Sequence, residues 1–180
     1  MRTLPCAARF AVLAVAFVLP GAELPRPAPA MTFPMPGGGV IDLKPYRGKV
    51  VGLEFLLTTC QHCQNAAHLM QKLQVEYGPK GFQALGVAVN EGAHTLVPGF
   101  VKNFGLAFPV GFGTDAQARE FLQHPVMEIL RFPRLVFIDR RGIIRSDHVG
   151  FRETDEKEIR AKIQELLQQP VPTPKRAVAR

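Results

Sequence analysis

Apolar runs of strand length alternate with amphipathic segments through the middle of the chain. Residues 50–57 form an almost unbroken apolar run, as expected for a β-strand covered on both faces of a sheet. Residues 60–77 follow with apolar side chains at helical spacing, and residues 82–89 form a second run of the buried type. The next elements predicted are a helix at 94–104, a strand near 108–111 and a short helix at 117–122.

The C-terminal part of the pattern predicts a β-hairpin and a final helix. Residues 135–139 and 143–145 form two apolar strands separated by a turn. Residues 154–169 place apolar side chains on one face with charges between them, which is typical of an amphipathic surface helix. With a short strand at 40–43, this order indicates an α/β fold, a mixed central sheet with helices on both faces. We expect residues 31–169 to form this one domain.

The N-terminal segment is typical of a secretory signal peptide. A short positive stretch precedes residues 10–19, ten uncharged apolar residues, and this run is shorter than the ~20 residues that a bilayer-spanning helix needs. The tripeptide at 28–30 has the small-x-small form that a signal peptidase accepts, and a cut after Ala22 is the other candidate. We therefore expect cleavage and export, with an uncleaved membrane anchor as the alternative.

Prolines and net charge are both concentrated at the two ends. Six prolines between residues 20 and 36 predict an extended linker, so residues 1–30 are assigned to a signal peptide and a proline-rich segment. Residues 170–180 are expected to form a disordered basic tail. Of the net charge of +7, only +2 belongs to residues 31–170. A nearly neutral domain of this kind does not indicate a nucleic-acid partner.

Two of the three cysteines, Cys60 and Cys63, lie at the junction of the first buried strand and the following helix. Unpaired backbone N–H groups and the macrodipole at a helix N-terminus stabilise a thiolate. A pair in this position is typical of a redox-active disulfide. We predict that Cys60 attacks the substrate and that Cys63 resolves the mixed disulfide. The third cysteine, Cys6, lies before the apolar run of the signal and is expected to leave with it.

Three other uses of this pair are possible. A structural disulfide closing so short a loop would constrain the unfolded chain little. A structural zinc site needs four ligands, and the chain has no second cysteine pair. A copper site would use both cysteines with His62 or another histidine as third ligand. The remaining histidines show no i, i+4 spacing of metal ligands and are interpreted as surface or packing residues: His68, His94, His124 and His148.

The stretch from Gly48 to Cys63 resembles the active-site region of exported thioredoxin-like proteins of the TlpA/ResA type, which carry a redoxin-type domain. The strand end at 87–90, the tripeptide at 131–133 and the turn at 140–142 are also similar to that family. The resemblance covers residues 32–168. It implies a thioredoxin-like three-layer sandwich that exchanges disulfides with protein cysteines, with no cofactor besides the redox-active disulfide and no metal.

The resemblance brings two further residues into the site. Pro133 matches the cis-proline of the family, whose loop faces the cysteine pair and pairs with substrate backbone, and a trans proline at a strand start is the alternative. Glu54 lies close to the position where thioredoxin has a buried aspartate. A carboxyl in an apolar run is unfavourable unless it is neutral or partnered. We predict that Glu54 is the general base that deprotonates Cys63, with an edge position in solvent as the alternative and Glu91 as a second candidate.

Two residues bear on substrate choice and on the direction of electron flow. His62 matches the histidine of the Cys-Pro-His-Cys pair of the disulfide-introducing protein DsbA. An imidazole beside the thiolate favours the dithiol and makes the disulfide a stronger oxidant, whereas the TlpA/ResA resemblance implies a reductase, so the direction stays open. Arg134, next to Pro133, either selects acidic partners or points to water.

A peroxidase of the peroxiredoxin group and a copper chaperone of an exported oxidase are the rival functions. The first needs a threonine and a proline before its reactive cysteine, where this chain has Leu57 and Leu53. Metal-handling relatives space their cysteines more widely than Cys60 and Cys63. We expect protein thiols or disulfides as substrates, a membrane or thioredoxin-type electron donor or acceptor, no nucleic acid, and a monomer in the periplasm or another extracytoplasmic compartment.

Overall fold

The computed structural model describes residues 23–171, which fold into eight strands and four helices. The strands are β1 (Arg26–Pro27), β2 (Thr32–Pro34), β3 (Val40–Asp42), β4 (Val50–Leu56), β5 (Phe82–Ala88), β6 (Val110–Phe112), β7 (Arg134–Ile138) and β8 (Ile143–Val149). The helices are α1 (Gln61–Tyr77), α2 (Ala93–Phe104), α3 (Asp115–Leu122) and α4 (Glu156–Leu167). The predicted signal segment and most of the predicted tail lie outside the described residues.

The centre of the fold is a mixed six-stranded sheet in the order β1-β8-β7-β4-β5-β6, with β2 and β3 in a separate hairpin. Strand β4 is parallel to β5 and antiparallel to β7, and all seven of its residues are buried. One face of the sheet packs against α1, α2 and α4. The other packs against α3 and the β2–β3 hairpin. The predicted mixed sheet with helices on both faces is therefore confirmed.

Gly52 of β4 leaves room for side chains of α1 and β5. A Cβ atom at Gly52 would stand 2.7 Å from the Met70 Cε atom of α1 and 2.8 Å from the Phe82 Cζ atom of β5, so a larger side chain would displace these groups. Side chains two residues apart on a strand point to the same face of the sheet. The side chain of Glu54 therefore points from β4 toward α1.

The predicted elements are all present, with shifts at their ends. Helix α1 ends at Tyr77, as the apolar spacing predicts. Gly78 keeps a right-handed φ of −53° and begins a 3-10 turn, after which Gly81 has a φ of +98°. Helix α3 begins at Asp115, two residues before the predicted start, because Thr114 and Gln117 form a capping box. These ends depend on caps, which the apolar pattern does not record.

The expectation that the proline-rich segment is only an extended linker is wrong from Arg26 onward. Strand β1 pairs with β8 at the edge of the sheet, and the Arg26 side chain, only 9% exposed, donates to the Phe121 carbonyl at 2.8 Å. Phe33 of β2 is also buried in the core. Proline is compatible with an edge strand because its missing N–H can face solvent. The proline-rich segment thus contributes structure to the domain.

Both interpretations of Arg134 are wrong as well. Arg134 is only 7% exposed, and its Nε atom donates to Asp147 Oδ1 at 2.8 Å within a two-point ion pair across β7 and β8. Strand β8 continues to Val149, beyond its predicted end, and Asp147 lies in that extension. The arginine is neutralised inside the domain by the neighbouring strand, so it is not available to select a partner.

Candidate active site

The two cysteines lie where the carboxyl end of β4 passes into α1. Cys60 is the N-cap residue of α1, with extended backbone angles (φ −86°, ψ 120°), and is partly exposed. Cys63 lies within the first turn of the helix and is fully buried. Both are free thiols. The site therefore has one sulfur that a substrate can reach and one that it cannot.

Backbone hydrogen bonds hold the turn between the strand and the helix. The Cys60 N–H donates to the Leu57 carbonyl at 3.1 Å, and the Gln64 N–H donates to the Cys60 carbonyl at 3.0 Å. The Leu57 N–H donates to the Sγ atom of Cys63 at 3.5 Å. The inner sulfur is therefore tied to the same turn that carries the outer one.

Burial controls the chemistry of the inner cysteine. Desolvation raises the pKa of Cys63 far above its ordinary value, and the neighbouring Cys60 and Glu54 raise it further, against the opposing effect of the Leu57 N–H. Cys63 is thus a thiol rather than a thiolate at neutral pH. It can attack a disulfide only if a base removes its proton.

Glu54 is a carboxyl in the middle of the apolar core. It belongs to the central strand β4, where it pairs with Gly86 on one side and Leu135 on the other, so the alternative of an edge position in solvent is wrong. It is fully buried, and neither carboxylate oxygen has a hydrogen-bond partner within residues 23–171. Burial, and after it the charge of Cys60, raises the pKa of Glu54 well above its ordinary value.

The loop before β7 reaches the same end of the sheet. The Phe132–Pro133 peptide bond is cis, so the alternative of a trans proline is wrong. The next residue, Arg134, pairs with Phe55 near the carboxyl end of β4. Phe132 packs against the same hydrophobic cluster as Cys60. The Pro133 carbonyl accepts the Gly150 N–H at 2.8 Å and is thus already occupied.

His62 and Glu91 both lie at the surface. The Nδ1 atom of His62 is 3.2 Å from the Phe151 carbonyl oxygen. Since a carbonyl oxygen only accepts, Nδ1 carries a proton in this contact. Glu91 is exposed just after β5, so it is not the buried carboxyl that a base for Cys63 requires.

Two side chains that the sequence does not point to, those of Asn90 and Gln64, bind the backbone of Thr58. Asn90 Oδ1 accepts the Thr58 N–H at 2.9 Å, and Gln64 Nε2 donates to the Thr58 carbonyl at 3.0 Å. The available signal is that Asn90 is polar and directly follows a buried run. Because β4 and β5 are parallel, the residues after both strands meet at one edge of the sheet.

Within residues 23–171, no group of three or more His, Cys, Asp and Glu side chains is arranged to hold a metal ion. In the same part of the chain, no helix is long and apolar enough to cross a membrane.

Comparison with known proteins gives one family match and several relatives. The family model Redoxin matches residues 25–163. The chain is 26% identical over 136 residues to the thiol-disulfide oxidoreductase ResA of Bacillus thuringiensis subsp. konkukian, covering 76% of this chain and 75% of that protein. It is 29% identical over 136 residues to the protein DipZ of Mycobacterium tuberculosis, covering 73% of this chain but only 19% of DipZ. The chain therefore spans about a fifth of the length of that relative.

The solved structures agree with these matches. A thiol:disulfide interchange protein of the thioredoxin family from Chlorobium tepidum superposes with a TM-score of 0.69 at 26% identity, covering 81% of this chain and 98% of that one. The family match covers residues 25–163 and therefore includes both cysteines of the pair and the whole central sheet. The chain belongs to the Redoxin family, as a thioredoxin-like protein of the TlpA/ResA type.

Proposed function

We propose that this protein is an exported thiol-disulfide oxidoreductase that exchanges disulfides with the cysteines of other proteins through Cys60 and Cys63. The observation that carries the proposal is the arrangement of the two sulfurs, with Cys60 partly exposed at the start of α1 and Cys63 fully buried one turn inside. Such a pair takes up and gives back two electrons by itself, so the exchange uses no further cofactor.

In the reductive direction, the Cys60 thiolate attacks one sulfur of a substrate disulfide. The substrate S–S bond breaks, the other substrate sulfur leaves as a thiolate, and Cys60 is joined to the substrate by a mixed disulfide. The position of Cys60 at the N-terminus of α1 supports this role, because the helix dipole favours an anion there.

In the second step, Cys63 attacks the Sγ atom of Cys60 and releases the reduced substrate as a thiolate. Cys63 is a buried thiol, so its proton must move first, and we assign its acceptance to the carboxylate of Glu54. The burial of Glu54 and its lack of a hydrogen-bond partner within the described chain support this assignment. The product is the Cys60–Cys63 disulfide, and two electrons have passed to the substrate.

The cis-proline loop is proposed to hold the substrate backbone beside Cys60. The carbonyl of Pro133 already accepts the Gly150 N–H, which leaves the backbone of the preceding residue, Phe132, to pair with an extended substrate segment.

We propose that His62 sets the direction of electron flow. A histidine within the redox pair stabilises the dithiol and makes the disulfide a stronger oxidant, and His62 is an exposed residue in the first turn of α1, between the two cysteines in the sequence.

A trapping experiment tests the proposed function. Reduced Cys63→Ala protein, mixed with a disulfide-containing model protein such as insulin, is expected to accumulate a mixed disulfide through Cys60, because no inner thiol is present to release it. Non-reducing electrophoresis and mass spectrometry would show the adduct. The Cys60→Ala/Cys63→Ala double variant is the control and should form none. If Cys63→Ala forms no adduct and the wild-type protein instead consumes peroxide or binds copper in a 1:1 ratio, the proposal is wrong.

The proposed partners follow from this chemistry. The substrates are protein thiols or disulfides, and a membrane protein or a thioredoxin-type protein supplies or removes the electrons. A monomer suffices for the reaction, since both cysteines, Glu54 and Pro133 belong to one chain.

We further propose that export leaves the segment from Glu23 onward on the mature protein. A cut after Ala30 would remove β1 from the sheet and with it the buried Arg26 side chain. A cut after Ala22 would keep both. The structured domain accordingly begins before Arg26 rather than at Met31, and the Redoxin match, which begins at residue 25, supports this boundary.

Two versions of the protein that begin at different residues test the boundary. The chain that begins at Met31 is expected to have a free energy of unfolding lower by about 1–3 kcal/mol than the chain that begins at Glu23, because it lacks the buried hydrogen bond from Arg26. Urea unfolding measures the difference, and Arg26→Ala in the longer chain should reproduce much of it. Equal stability of the two chains would place the boundary at residue 31.

A further inference from the structure

We infer that Asn90 is a positioning residue of the redox pair, which holds the turn before Cys60 and thereby shifts the equilibrium between the dithiol and the disulfide. The inference rests on the proposed function and adds a residue to it. Asn90 touches neither sulfur, so its effect must pass through the backbone of the turn.

The contacts of Asn90 are specific. Its Oδ1 atom accepts the Thr58 N–H at 2.9 Å and lies 3.3 Å from the Thr58 hydroxyl, which can donate to it. Its Nδ2 atom donates to the Glu91 carbonyl at 3.0 Å, which sets the orientation of the amide. Thr58 is only 7% exposed, so water cannot readily replace a lost partner of its N–H.

The peptide group between Leu57 and Thr58 is held at both ends. Its N–H donates to Asn90, and its carbonyl oxygen accepts the Cys60 N–H at 3.1 Å. A peptide group is planar and turns as a unit. Freeing the N–H end therefore lets the carbonyl end move, and the backbone of Cys60 moves with it.

The preceding peptide group extends the same chain of contacts to the inner sulfur. The Leu56 carbonyl accepts the Val89 N–H at 3.0 Å, and the Leu57 N–H donates to the Cys63 sulfur at 3.5 Å. Both sulfurs are thus linked to a turn that the end of β5 holds. Asn90 contributes a side-chain hydrogen bond to this turn, and Val89 contributes a backbone hydrogen bond.

The hydrogen bonds that Asn90 makes to the turn contribute more to the stability of the dithiol than to that of the disulfide. In the disulfide, a covalent bond fixes Cys60 to Cys63, which is itself fixed in α1. In the dithiol no bond joins the two sulfurs, so the hydrogen bonds of the turn contribute more to fixing Cys60. Losing Asn90 should therefore destabilise the dithiol more than the disulfide, which makes the protein more reducing.

Equilibration with glutathione tests the inference. The protein dithiol and oxidised glutathione exchange two electrons to give the protein disulfide and two molecules of reduced glutathione. Asn90→Ala is expected to move this equilibrium toward the protein disulfide by about tenfold, which is ~30 mV for a two-electron couple. Asn90→Asp keeps an acceptor oxygen for the Thr58 N–H and should reverse at least half of the shift. Asn103→Ala, at an exposed asparagine of α2, is the matched control and should not shift it.

The stability of the two redox forms gives a second test, and Thr58→Val gives a milder variant. Urea unfolding of both forms should show a larger loss of stability in the dithiol than in the disulfide for Asn90→Ala. If that variant does not fold, Thr58→Val removes only the hydroxyl contact and should cause a shift of about threefold or less in the same direction.

The outcomes separate this inference from the proposed function. An unshifted equilibrium, with equal loss of stability in both forms, would show that Asn90 only supports the fold. A shift that Asn90→Asp does not reverse would also overturn the inference, since the acceptor oxygen would then be irrelevant. A wild-type pair that does not exchange with glutathione at all would overturn the proposed function, and this inference with it.

Discussion

Replacing Cys60 with serine is expected to abolish disulfide exchange with protein substrates, with turnover at least about 10³-fold below the wild type. Cys60 is the partly exposed sulfur of the pair, and a hydroxyl at neutral pH is a far weaker nucleophile than a thiolate. Cys63 cannot replace it, because it is fully buried and burial raises its pKa. Cys63→Ser, by contrast, should keep the first step and lose only the release of the substrate.

Two measurements check this expectation. Insulin reduction with dithiothreitol as electron donor gives the turnover of each variant. Iodoacetamide added to the folded dithiol, followed by mass spectrometry of the peptide that holds the pair, should show Cys60 modified in the wild type and in Cys63→Ser, and Cys63 unmodified in Cys60→Ser. Turnover of Cys60→Ser within tenfold of the wild type, or rapid alkylation of Cys63 in the folded protein, would contradict the assignment of the two roles.

Replacing Glu54 with glutamine is expected to slow the resolving step by about 10²-fold at pH 7, because general bases typically contribute factors of this size. The step can be followed from the preformed mixed disulfide between Cys60 and glutathione, as the release of glutathione. In the wild type, its rate should rise with pH as Glu54 ionises and then level off above the raised pKa of this carboxyl. In Glu54→Gln the plateau should be absent. Glu91→Gln, at the exposed second candidate, is the control and should behave like the wild type.

Glu54 should also make stability depend on pH. The pKa of Glu54 is raised in the folded protein, whereas an unfolded chain has an ordinary value of about 4.3. Between these two values the folded state holds a proton that the unfolded state has released, so the free energy of unfolding should fall as pH rises, by at most ~1.4 kcal/mol per pH unit. The window begins near the unfolded value and closes at the folded one.

The disulfide form is the sample for this measurement, because neither Cys60 nor Cys63 titrates in it. Urea unfolding at a series of pH values should show a decline in the wild type that is missing in Glu54→Gln. Parallel curves for the two proteins would mean that Glu54 is ionised to the same extent in the folded and unfolded states. Together with an unchanged pH profile of the resolving step, that result would remove Glu54 from the mechanism.

The local pattern was sufficient to predict most of the architecture. A fully buried strand reads as an unbroken apolar run, as in β4, and an amphipathic helix reads as apolar side chains at helical spacing, as in α4. The position of the cysteine pair between such a strand and such a helix followed from the same pattern. These features depend on residues close together along the chain.

The errors have a common origin in contacts between distant parts of the chain. The sequence does not predict the burial of Arg134, because its partner, Asp147, lies on the neighbouring strand, thirteen residues further on. It does not predict strand β1 either, because pairing with β8 and the contact of Arg26 with Phe121 order these few residues. Periodicity in the sequence does not record the register of strands, so neither contact could be inferred from it.

The sequence alone therefore predicts the order of the elements from β3 to α4, the redox pair and the residue types around it. Packing of these elements against each other selects which of those residues act together. Pairing of β4 between β5 and β7 places Glu54 in the core facing α1, and parallel pairing of β4 and β5 brings Asn90 to the turn before Cys60. The physical reason is that burial and strand register, which set the environment of a carboxyl or a thiol, arise only when residues far apart in the chain are packed against each other.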